Sequence, residues 1–96
     1  MPSPRLSDAE IVTAQRSLDS WQVERGELVR TFSFPDFRAS LAFVNQVGEL
    51  AESAGHHPDI DIRYNRVRLA LVTHDAGGLT AKDFDLARRI NGVPHA

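Results

Sequence analysis

Residues 58–74, Pro58-Asp59-Ile60-Asp61-Ile62-Arg63-Tyr64-Asn65-Arg66-Val67-Arg68-Leu69-Ala70-Leu71-Val72-Thr73-His74, decide the fold. Ile60, Ile62 and Tyr64 alternate with charged residues, and Val67, Leu69, Leu71 and Thr73 alternate in return. Successive side chains of a strand point to opposite faces, so alternation of this kind marks a strand with one buried side. Asn65-Arg66 lies between the two runs and supplies the turn. The segment therefore predicts a β-hairpin.

Moving toward the N-terminus, Gly55 stands where a left-handed residue closes a helix. Before it, Phe37, Leu41, Val44, Val47 and Ala51 keep the spacing of a core-facing helical stripe, with Gly48 beside Val47. Pro35 is expected as the first residue of that helix, where its missing N–H has no partner to lose. A second hairpin precedes it. Trp21 to Glu24 alternates, Arg25-Gly26 turns, and the return strand sets Leu28, Arg30, Phe32 and Phe34 on one face against Val29, Thr31 and Ser33 on the other. Arg30 breaks the apolar face, but its stem can lie along it while the charge reaches water. Ser7 and Glu10 have the spacing of a capping box, so a first helix is expected to about Leu18, burying Ile11, Ala14 and Leu18. Residues 1–6 hold two prolines and read as a loose lead-in.

Toward the C-terminus, His74-Asp75 is followed by a loop at Ala76-Gly77-Gly78. Thr80 and Asp83 then repeat the capping spacing, and Leu79 with Phe84 has the spacing of a hydrophobic staple. Phe84, Ala87 and Ile90 face inward on a last helix that Asn91-Gly92 and Pro94 end. The order is α-β-β-α-β-β-α. Hairpin-joined strands make an antiparallel sheet, and its apolar face needs a cover. The expected fold is a two-layer α+β domain, a four-stranded antiparallel sheet with helices on one face.

At 96 residues the chain fits one domain, residues 1–96. A domain this small buries only about 60–65% of its unfolded surface, and self-association is one way to bury more. The net charge of −2 supplies no field toward nucleic acid, and one lysine with scattered arginines makes no basic stripe. With no cysteine, disulfides, thiolate metal sites and cysteine nucleophiles are excluded. No apolar run approaches the roughly 20 residues that span a bilayer. The first five residues lack the apolar segment of a secretory signal, so a cytoplasmic location is expected.

Three of the four histidines fall at element ends. His56 and His57 follow the cap of the long helix, and Pro58 biases His57 toward extended backbone. His74 ends the last strand before a glycine-rich turn. Imidazole is the side chain whose ordinary pKa permits proton traffic near neutrality. Taken singly, each also reads as a surface or helix-capping residue, and His95 in the tail reads only as that.

The full string is more specific. Gly55-His56-His57-Pro58-Asp59-Ile60-Asp61-Ile62-Arg63-Tyr64-Asn65, followed by Thr73-His74-Asp75-Ala76-Gly77-Gly78-Leu79-Thr80 and Asp83, resembles the pterin-4a-carbinolamine dehydratase family. There a His-His-Pro motif precedes a Tyr-Asn hairpin, and a Thr-His-acid motif precedes a Gly-Leu-Ser/Thr helix start. The resemblance extends back to Trp21, Gly26 and the Phe32-x-Phe34 strand, covering about residues 20–90. Gly55, Ile60 and Asp75 differ from animal members, which carry aspartate, tryptophan and glutamate there. Other members share the Gly-His-His-Pro-Asp-Ile form.

The resemblance implies dehydration of a 4a-hydroxytetrahydropterin, left by aromatic amino-acid hydroxylases, to a quinonoid dihydropterin that a separate reductase recycles. It implies neither a metal nor an organic cofactor. His56, His57 and His74 would be catalytic, His56 and His74 as acid and base at the C4a hydroxyl and His57 mainly in orienting the pterin. Pro58, Thr73, Asp75 and Ala76 would complete the substrate-binding wall, and Asp83 would support a histidine or simply cap its helix. Dimers or dimers of dimers through helices are also implied, with neither a nucleic-acid nor a membrane partner. Two other readings compete. Three imidazoles can hold zinc, although no spacing here matches a known zinc motif. Some animal relatives serve as dimerisation cofactors for a transcription factor, a non-enzymatic binding role that would not require the motif histidines.

Overall fold

In a computed structural model, which describes residues 3–95, the strands β1 (Gln22–Glu24), β2 (Glu27–Ser33), β3 (Asp59–Arg63) and β4 (Arg66–Leu71) form one sheet in the order β1-β2-β4-β3. Every neighbouring pair is antiparallel. The helices α1 (Asp8–Arg16), α2 (Phe37–Ala54) and α3 (Ala81–Asn91) complete the expected α+β fold, with the helices on one face, and a 3-10 turn spans His74–Ala76. Met1 and Pro2 of the expected lead-in lie outside the described residues. Among the described residues no helix is long and apolar enough to cross a membrane.

The register explains the layers. Leu28 faces Leu71, Arg30 faces Leu69 and Phe32 faces Val67, and all of these except Arg30 are buried. Phe43 and Val47 of α2 and Phe84, Ala87 and Ile90 of α3 fill the same core. The Phe43 ring meets Phe32 at 4.6 Å and Phe34 at 5.0 Å between centroids. Each of the larger of these buried side chains contributes about 1.5–3 kcal/mol of hydrophobic stabilisation.

Helix α2 departs from expectation in its phase. Asp36, not Pro35, begins it: the Asp36 carboxylate accepts the Ala39 N–H at 2.8 Å, and Pro35 stands outside. The buried stripe is Ser40, Phe43, Val47 and Ala51, while Phe37 and Leu41 are 46% and 40% exposed. Apolar residues occupy both phases of this helix, so spacing alone does not choose between them. The aromatic pocket of β2 does, by taking Phe43. At the other end Gly55 adopts φ +62°, and the His56 N–H closes back on the Ala51 carbonyl at 3.1 Å. This left-handed turn fixes where the histidine pair leaves the helix.

Smaller corrections follow from the same contacts. Helix α1 stops at Arg16, and Leu18 is buried from the loop behind it, whereas Ile11 and Ala14 are only half-buried. The second hairpin turns at Tyr64-Asn65 rather than Asn65-Arg66. Tyr64 takes φ +50° and stands 65% exposed, while Asn65 is tied through its amide and its backbone carbonyl to Phe34. Strand β3 is an edge strand with all five residues exposed, so Ile60 and Ile62 are covered less than their alternation suggests. The lead-in is not loose at Leu6: its N–H donates to the Leu79 carbonyl at 2.8 Å and its side chain packs on the core.

Arg30 resolves its conflict with the apolar face. Its guanidinium lies 4.2 Å above the Phe32 ring and donates to Asn91 Oδ1, which also accepts the Trp21 indole N–H at 2.7 Å. Burial lowers the Arg30 pKa, and the Asp19 charge opposes that shift. His95 has a structural place: Nδ1 meets the Val93 carbonyl at 2.7 Å, and the ring sits edge-on to Phe32.

Candidate active site

The His-His-Pro segment leaves α2 and runs into β3, and the Thr-His-Asp segment leaves β4 and runs toward α3. Pairing of β3 with β4 places both at the same end of the sheet, with Asp59 opposite Ala70. Asp83, on the first turn of α3, joins them. It is fully buried. Its Oδ2 accepts the Thr80 N–H and the Thr73 hydroxyl, each at 2.9 Å, and its Oδ1 meets His56 Nε2 at 2.6 Å. Thr80 in turn caps Lys82, and its hydroxyl lies 2.8 Å from that of Thr73.

Proton counting orders this cluster. The single Thr73 proton goes to Asp83, so the Thr80 hydroxyl donates to Thr73. A carboxylate can only accept, so His56 Nε2 carries the proton of the shared bond. That leaves Nδ1 of a neutral His56 as the nitrogen able to take a proton. Asp83 is thus at once part of the helix cap and the group that fixes the tautomer and direction of His56. No buried side-chain polar atom among the described residues lacks a partner.

The other histidines are held less firmly. His57 Nε2 meets Glu52 Oε2 at 2.5 Å, with both side chains more than 60% exposed. Glu52 was not among the expected site residues. The signal for it was its place in the last turn of α2, from which its side chain reaches His57. His74 opens the 3-10 turn, is exposed, and makes no side-chain hydrogen bond or ion pair among the described residues. The turn closes on itself, with Gly77 N–H donating to the His74 carbonyl at 3.0 Å and Thr73 bridged to Gly78.

The structure brings His56, Thr73 and Asp83 together but does not set His56 and His74 in one cavity. A cavity of about 290 Å³ between the end of α2 and α3 is lined by Ser53, His56, Lys82 and Arg89 among others. A second, of about 330 Å³, is lined by His74 with Arg5, Arg25, Gly78 and Leu79 among others. Neither includes His57 or the half-buried Pro58, and Asp75 and Ala76 line neither wall. No three His, Cys, Asp or Glu side chains among the described residues converge as a metal-binding group.

Comparison with known proteins decides the family. The family model described as Pterin 4 alpha carbinolamine dehydratase matches residues 4–93. The chain belongs to the pterin-4a-carbinolamine dehydratase family. A relative from Acidobacterium capsulatum, provisionally named pterin-4-alpha-carbinolamine dehydratase, is 65% identical over 89 residues, covering 93% of this chain and 97% of that one. A solved structure described as a transcriptional coactivator/pterin dehydratase from Brucella melitensis superposes with a TM-score of 0.87 at 38% identity, covering 92% of this chain and 96% of that one. A pterin dehydratase-like protein identified as a RuBisCO assembly factor in the alpha-carboxysome shares the fold, with a TM-score of 0.61 at 23% identity over 75% of this chain and 83% of that one. Dehydratase chemistry is therefore the activity the family supports, on a scaffold that also occurs in a protein with another role.

Proposed function

We propose that this protein dehydrates 4a-hydroxytetrahydrobiopterin or a related 4a-hydroxytetrahydropterin to the quinonoid dihydropterin in the recycling of a reduced pterin in the cytoplasm. The C4a–O bond breaks as an acid protonates the departing hydroxyl. The neighbouring ring nitrogen gives its proton to a base, and the electron pair left behind forms the C4a–N double bond. One water leaves, and no redox change is required. Imidazoles suit both transfers, and each positioned acid or base contributes roughly 10²–10⁴-fold.

The observation that carries this reading is the Thr73–Asp83–His56 chain of hydrogen bonds. It ties the two sequence blocks that resemble the family into one unit and leaves His56 Nδ1 for proton transfer. His74 is the second acid/base group, one residue beyond Thr73. His57, steadied by Glu52, orients the pterin with Pro58, Asp75 and Ala76. The test is dehydration of freshly generated 4a-hydroxytetrahydropterin followed by ultraviolet absorbance. Wild type accelerates it well above the spontaneous rate, and His74→Ala loses roughly 10²–10⁴-fold while its stability changes by less than about 0.5 kcal/mol, as expected for an exposed side chain. A folded wild type with no acceleration sinks the reading.

A homodimer or homotetramer is part of the proposal. Exposed Ile60 and Ile62 lie on an edge strand whose outer side has no neighbour among the described residues, and Phe37 and Leu41 are exposed on α2. Covering such surfaces is favourable, and open edges invite pairing. The same surfaces support the second reading, a non-enzymatic binding module, which the coactivator description of the Brucella relative also favours. Light scattering of the purified protein measures the first, and the dehydration assay separates the two.

A further inference from the structure

The cavity beside His74 is positively charged in a chain whose net charge is −2. Arg5 and Arg25 both line it, and Glu27 is the one carboxylate among its walls. None of these three makes an ion pair within 4 Å among the described residues. The other cavity, beside His56, also has two cations in its wall, Lys82 and Arg89, but its Asp85 is already committed to Arg88 at 3.0 Å.

Arg5 is held by a contact outside its own segment, and Arg25 is an unusual residue for the turn it occupies. Leu6 is anchored by its hydrogen bond to Leu79, which lays the preceding Arg5 across the loop before α3. Its side chain runs over Gly78: a Cβ there would fall 2.8 Å from Arg5 Nε and 3.3 Å from Cδ. Gly78 has no positive φ that would require glycine, so the missing methyl group serves the contact. Arg25 occupies the β1–β2 turn at φ +51°, a position that favours Gly, Asn or Asp. Residues that break a local rule without local compensation concentrate where the chain binds something.

We infer that the pterin carries an anionic side chain, a phosphate or a carboxylate, which Arg5 and Arg25 receive beside His74. Guanidinium groups pair with such oxyanions through two parallel hydrogen bonds, and a ring held near His74 would place its substituent within the same cavity. The inference rests on the dehydratase reading for the pterin part and names its substrate class.

The test is calorimetric titration of the full chain with 7,8-dihydropterins that have a neutral hydroxylated side chain, the same side chain phosphorylated, or a side-chain carboxylate. Inorganic phosphate alone is the fourth titrant. The expected result is binding of one anionic form roughly tenfold or more tighter than the neutral one, the scale of charge-assisted hydrogen bonds. Which anionic form wins identifies the group. That advantage shrinks in Arg5→Gln/Arg25→Gln, and also in Gly78→Ala, where the added methyl group displaces the Arg5 side chain at little expense to folding. Equal binding of all three pterins, no binding of any, or an advantage that survives the double substitution overturns the inference. Wild-type dehydration of the neutral and of both anionic carbinolamines is measured alongside. Absence of acceleration with every one of them sinks the dehydratase reading, whereas titration alone judges the anion site.

Discussion

Helices α1 and α3 begin with the same reciprocal cap, Ser7-x-x-Glu10 and Thr80-x-x-Asp83, in opposite surroundings. In the first, Glu10 accepts the Ser7 N–H at 2.8 Å in full exposure, and its hydrogen bonds to Ser7 hold its carboxyl below the usual glutamate range. In the second, Asp83 makes the equivalent bond while fully buried, and two further donors, Thr73 and His56, share its oxygens. The shorter aspartate keeps its carboxylate close to the helix start, where the end of β4 and the exit from α2 reach it. A capping rule predicts that the helix starts here. It is silent on what the fold does with the second oxygen.

The sharpest way to break this comparison is Asp83→Asn. One amide oxygen cannot replace three acceptor contacts, and the amide N–H₂ turned toward His56 would force the other tautomer. The expected outcome is a dehydration rate lower by roughly 10²–10⁴-fold, with a stability loss on the order of 2 kcal/mol by urea unfolding. Thr73→Val comes next. It removes one donor to Asp83 and leaves the Thr80 hydroxyl proton without an acceptor, at about 1–2 kcal/mol of stability and a several-fold loss of rate. A variant as stable and active as wild type would mean that the buried cap works alone.

The exposed counterparts have smaller effects. Glu52→Gln weakens a solvent-screened contact to His57, so unfolding changes by no more than about 0.5 kcal/mol and the effect on rate is a few-fold, mainly in KM. Glu10→Gln is the mildest. Because the folded state lowers the Glu10 pKa, its contribution is present above the unfolded value of 4.5 and is lost as pH falls through the folded one. The wild-type thermal midpoint should therefore decline slightly more than that of Glu10→Gln as pH is lowered from 5 into the acid range. Parallel curves would show that the exposed cap contributes no proton-linked stability.

The element order, both hairpins and both capping boxes were legible because each is written in neighbouring residues. The phase of α2 was not, because Phe37, Leu41 and Phe43 are equally apolar and only the rings of β2 choose among them. At the site, the three histidines were visible through the two motif blocks. The Asp83–His56 bond joins residues 27 apart in sequence, a contact no periodicity encodes. Glu52 was missed for a similar reason: it looks like an ordinary surface charge until the fold sets it against His57.

Asn91 gives this chain a sense of age. An asparagine followed by glycine is the pair in which the next backbone nitrogen most readily attacks the side-chain amide, expelling ammonia and leaving aspartate or its β-linked isomer. Here the Gly92 N–H is bonded to the Arg89 carbonyl at 3.0 Å, and the amide oxygen is gripped by Trp21 and Arg30. While α3 holds its last turn, the attack is geometrically blocked. Attack needs that end to open, so the fraction deamidated at position 91 grows with the time the C-terminal end of α3 has spent unfolded.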